Sequence, residues 1–86
     1  MRASGTFCPR DLSATEAQVA RALTEAGLPA GVARSWLSSA AGRLEHDAQW
    51  SLDYDVELQV ASFEVWKDGQ LVFGLDDWLP APRPLG

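Results

Sequence analysis

The chain has 86 residues, enough for one small domain. Its 47% hydrophobic and 22% charged residues match a folded globular protein, and no apolar run reaches the roughly 20 residues needed to span a bilayer. Net charge is −5 and uneven: residues 1–44 carry five Arg against three acids, whereas residues 45–86 carry nine acids against Lys67 and Arg83.

Such an acidic half repels nucleic acid and attracts basic protein surfaces. The N-terminal stretch MRASGTFCPRDLS lacks an apolar h-region, so no secretory signal is expected. A lone Cys8 excludes an internal disulfide framework. Both observations point to the cytoplasm.

Residues 1–11 read as an arm in which Thr6-Phe7-Cys8 can add a short strand before Pro9 stops it. Ser13-Ala14-Thr15-Glu16 then matches a capping box, with Ser13 as N-cap and Glu16 at N3. Val19, Ala22, Leu23 and Ala26 recur at helical spacing. Gly27 sits where a left-handed C′ residue is wanted. Leu28 follows, placed to touch Leu23 as in a Schellman stop. A second helix is predicted from about Ala30 to about His46, with Val32, Ala33, Trp36, Leu37, Ala40, Ala41 and Leu44 on its apolar face. Gly42 inside it costs about 1 kcal/mol relative to Ala, unless it permits close backbone packing.

Residues 50–60, WSLDYDVELQV, alternate without a break. Even positions are apolar. Odd positions include the acids Asp53, Asp55 and Glu57, about 6.6 Å apart at a rise of about 3.3 Å per residue. The phase breaks at Val60-Ala61 with no Gly, Pro, Asn or Asp at the break, which favours a β-bulge in one long bent strand over a tight turn. FEVWKDGQLVF follows as a hairpin. A three-residue Lys67-Asp68-Gly69 loop pairs Phe63 with Phe73 and Val65 with Leu71, and segregates apolar from polar side chains better than a two-residue turn. The predicted fold is α+β: two N-terminal helices packed on one face of a small antiparallel sheet, in the order ααββ with room for an extra N-terminal strand. Residues 1–79 form the domain, and residues 80–86 a proline-rich tail, extended or disordered.

Chemistry-bearing patterns are sparse. One His (His46) and one Cys cannot build a His/Cys zinc site, so no metal is expected. Ser35, Ser38 and Ser39 have no accompanying base or nucleophile elbow, and no phosphate-binding glycine loop appears. No catalytic residue and no cofactor is therefore expected. The acidic row is either a wetted sheet face or a surface presented to a basic partner. Asp76 and Asp77 extend it, with Asp47 as a further candidate. Of the four tryptophans, Trp36 and Trp50 share apolar phases and belong to the core. Trp66 falls on the polar face, and Trp78 follows the Asp pair. Exposed Trp beside acids suits an interface anchor.

The pattern thus predicts a small acidic, non-enzymatic protein-binding module. Asp53, Asp55, Glu57, Trp66, Asp76, Asp77 and Trp78 would contact a basic, nucleic-acid-handling protein, with no direct nucleic-acid or membrane contact. In size and charge it resembles anti-CRISPR proteins and immunity proteins against nuclease toxins. The rival class is a DNA-binding regulator: VARALTEAGLPAGVARSWL has the glycine-containing turn of a helix-turn-helix, with Arg34, Ser35 and Ser38 facing outward. Against it stand the bulky Leu23 four before the glycine and the acidic charge. Residues 19–34, with Val19, Ala22-Leu23, Ala26-Gly27-Leu28 and Val32-Ala33-Arg34, resemble a helical segment of tailed-phage prohead proteases. That resemblance implies a phage or mobile-element setting and none of the protease chemistry. A third class is a phage structural or assembly subunit, homodimeric through its sheet edge.

Overall fold

The computed structural model describes residues 1–80; the predicted tail falls largely on 81–86, outside them. The elements run β1 (Arg2–Phe7), α1 (Leu12–Glu25), α2 (Val32–Ala41), β2 (Ala48–Asp55), β3 (Val60–Lys67) and β4 (Gln70–Trp78). The class is α+β. The order is βααβββ: the extra N-terminal strand for which the prediction leaves room is present, and the phase break separates two strands where one long strand is predicted. All four strands are antiparallel, in the spatial order β1-β2-β3-β4.

α1 begins differently from the capping-box reading. Asp11, not Ser13, is the N-cap: its Oδ1 accepts the Ala14 amide at 3.3 Å, and Ser13 Oγ donates to the same oxygen. Both residues suit the role; Asp11 adds a full negative charge at the positive end of the helix. Thr15 is fully buried and its hydroxyl accepts the Cys8 amide at 3.0 Å, which ties the end of β1 to α1. The stop is the predicted Schellman motif. Gly27 takes φ +76°, Leu28 N–H donates to Leu23 C=O at 2.9 Å, and Leu23 and Leu28 are both buried.

α2 stops at Ala41, short of His46, with Gly42 as C-cap. Gly42 has an ordinary φ of −67°, and a Cβ there would meet nothing within 4 Å, so it serves no close packing. Gly42→Ala is expected to raise the melting temperature by about 2–8 °C, by restricting the unfolded chain. Thermal denaturation checks this, and a lowered midpoint would refute it.

The helices cover one sheet face. Val19 and Leu23 of α1 and Ala33, Trp36, Leu37 and Ala40 of α2 join Phe7, Trp50, Leu52, Tyr54, Ala61, Phe63 and Val65 in the core. Phe63 is its centre, stacked on Trp36 at 5.4 Å and Trp50 at 6.4 Å between ring centroids.

Two strand predictions need correction. The break after residue 55 is a four-residue turn, 56–59, not a bulge in one bent strand. Asp55 starts it by accepting the Glu57 and Leu58 amides on Oδ1 at 2.9 and 3.1 Å, and Gln59 ends it at φ +58°. The β3–β4 hairpin is closed by two residues, Asp68 (φ +52°) and Gly69 (φ +78°), both left-handed as a type I′ turn requires. Lys67 faces Gln70 and Trp66 faces Leu71. A bulge at Val72 then shifts the register, so that Val65 faces Phe73 and Phe63 faces Leu75. The bulge restores the segregation that a plain two-residue hairpin would lose.

Candidate functional site

Side chains alternate across a strand, so the register fixes what the uncovered face displays. One row holds Arg2, Asp53, Ser62 and Asp76. The next holds Ser4, Ser51, Glu64 and Gly74. Towards the Asp68-Gly69 tip lie Thr6, Gln49, Trp66 and Leu71, and at the opposite end lie Asp55, Val60 and Trp78. The small residues form the floor of an open concavity of about 540 Å³ lined by Ser4, Ser51, Ser62, Asp53, Glu64 and Asp76. Arg2 sits at its rim, 3.9 Å from Asp53, with both side chains largely exposed. Ser62 Oγ donates to Asp76 Oδ1 at 2.7 Å. Thus, among the described residues, Asp53, Asp55, Glu64 and Asp76 share this face with one arginine, Arg2.

The predicted residues scatter around this face. Asp53, Asp76 and Trp66 lie on it, and Trp78 lies at its end, 63% exposed. Asp55 is exposed at the same end, but its carboxylate is engaged in shaping the turn. Glu57 belongs to the turn, not to the strand face, because the strand ends two residues before it. Val56 and Leu58, which share the apolar phase of residues 50–60, are exposed beside it at 60% and 68%. Asp77 has the opposite parity to Asp76 and lies on the helix side, where its Oδ2 accepts Trp36 Nε1 at 3.0 Å. Asp47 is exposed before β2, and its carbonyl accepts Lys67 Nζ at 2.9 Å. Trp36 and Trp50 are buried, as their phases predict.

The sequence places Glu64 on the same outer face as Trp66, as the register confirms, but does not single it out as a contact residue, nor the serines as a floor. Ser51 and Ser62 share the odd-in-β2, even-in-β3 parity of the acids, a parity that the phase break at Val60-Ala61 already implies. Arg34 pairs with Glu16 at 3.3 Å, and Arg21 with Glu25 at 3.0 Å, so two helical cations are already matched by acids. Among the described residues, no group of three His, Cys, Asp or Glu is placed to hold a metal ion, and no helix is long and apolar enough to cross a membrane. Comparison with family models, curated proteins and solved structures yields no match.

Proposed function

We propose that the protein is a small acidic, non-enzymatic binding module that occludes a basic surface on a nucleic-acid-handling protein, as an inhibitor or immunity-type factor does. The observation that carries this reading is the uncovered sheet face. Its floor is serine and glycine, so a partner's long basic side chains have room to lie across it. Asp53, Glu64 and Asp76 supply the complementary charge, which steers encounter and sets register more than it adds affinity. Trp66 and Trp78 flank the concavity, six β3 positions or about 20 Å apart, and act as anchors. The resemblance of residues 19–34 to a prohead-protease segment supports a phage or mobile-element setting.

The DNA-regulator reading draws on the helix hairpin, but Arg34, its leading contact residue, is paired with Glu16. One experiment separates the two. Wild-type protein and the triple variant Asp53→Lys, Glu64→Lys, Asp76→Lys are used to capture partners from cells at low salt, beside a gel shift on duplex DNA. Basic proteins are expected on the wild type only, with association rates about 10-fold or more slower for the variant and no DNA shift. Identical capture by both would sink the proposal, and a shift abolished by Arg34→Ala would replace it with the regulator.

A further inference from the structure

From the free edge of β4 we infer that a second copy of this chain adds to the sheet there, giving a two-fold symmetric eight-stranded dimer. Among the described residues β4 is the last strand of the sheet, and only β3 pairs with it. Natural edges are commonly blunted by lysine, proline, bulges or a covering element. β1 is shorter, carries Arg2 and packs beside α1. β4, QLVFGLDDW, has no lysine or proline, its one bulge lies at Val72, and its charges are confined to Asp76 and the helix-side Asp77, leaving residues 73–78 regular.

The backbone phase of this edge follows from one hydrogen bond. Leu79 N–H donates to Gln59 C=O, so odd residues of β4 turn their polar groups toward β3. Gly74, Asp76 and Trp78 therefore turn theirs outward, with no partner among the described residues. An antiparallel copy centred on Leu75 pairs Gly74 with Asp76 of the second copy, and Asp76 with its Gly74.

The side chains in that register are self-complementary on the helix side. Leu75, half-buried where the helical layer ends, meets its own symmetry mate. Phe73 faces Asp77 of the second copy. The Arg43 guanidinium already lies 5.9 Å from the Phe73 ring centroid, so each Arg43 comes beside an Asp77 carboxylate across the interface. A foreign strand would satisfy the ladder but would bring no such reciprocal pair. On the outer face, Asp76 of one copy approaches Glu64 of the other, which lies over Gly74. This like-charge contact weakens the dimer.

The test is sedimentation equilibrium of the full chain from micromolar to millimolar concentration. Wild type is expected to reach twice its 9.3 kDa mass. Arg43→Glu should raise the dimer dissociation constant at least about tenfold, and Asp76→Asn, which keeps the acceptor for Ser62, should lower it. In a Cys8→Ser background, Leu75→Cys should oxidise to a covalent dimer, because the symmetric non-hydrogen-bonded pair sits at disulfide distance, while Gly74→Cys should not. A monomer at every concentration would overturn the inference, as would a dimer indifferent to Arg43→Glu and Asp76→Asn. Neither result bears on partner capture by the concave face.

Discussion

Phe63→Ala is expected to lower stability by about 3–5 kcal/mol. A chain of this length has roughly 4–13 kcal/mol in total, at about 0.05–0.15 kcal/mol per residue, so the substitution removes from about a quarter to all of it. The cost comes from position. Phe63 is fully buried and lies between the Trp36 and Trp50 rings. Those indoles are held elsewhere, Trp36 by Asp77 and Trp50 by its strand, so neither can collapse into the space left behind. Phe73→Ala provides the contrast: its ring is half-exposed at the sheet margin and should cost much less. Urea titration of both variants checks the ordering, and equal losses would place the centre of the core elsewhere.

The second large effect is expected at Gly5. A Cβ there would lie 2.8 Å from Trp50 Nε1, 3.0 Å from Trp50 Cε2 and 2.8 Å from Gln18 Oε1. The exposed Gln18 side chain can swing away. Trp50 is 2% exposed and stacked on Phe63, so it cannot. Gly5→Ala should therefore cost about 1–3 kcal/mol, as overpacking does. Trp50 Nε1 is also a buried donor without a hydrogen-bond partner among the described residues, an arrangement that is itself costly. Trp50→Phe removes both the clashing edge and the orphaned donor. In the double variant the glycine substitution should then cost far less, with a coupling of about 0.5–3 kcal/mol between the two sites. Strictly additive losses would refute the proposed contact.

The sequence is most informative where local chemistry decides the outcome. Gly27 and Leu28 announce the end of α1 because a left-handed residue followed by an apolar one has few other uses. The α+β class and the uncovered acidic face follow from helical and alternating periods. The turn at 56–59 was not legible, since Val56, Glu57, Leu58 and Gln59 are all compatible with a strand. Its only marker is Asp55, which reads equally well as one more member of an acidic row. Losing that turn promotes Glu57 to the strand face. Asp76 and Asp77 are neighbours in one strand and so point to opposite sheet faces. What no residue type announces is the bulge at Val72, which together with the two-residue turn moves the partners of Phe63 and Val65 two residues along β4 from the predicted register.

The division of the four indoles has an optical consequence. Trp36 and Trp50 lie in the dry interior, while Trp66 and Trp78 sit at the two ends of the wet concave face. The native emission is therefore a sum of two spectrally distinct pairs. A neutral quencher reaches the surface pair first, while loss of the core shifts the other. One unlabelled sample thus carries separate light signals for docking at the face and for unfolding of the interior.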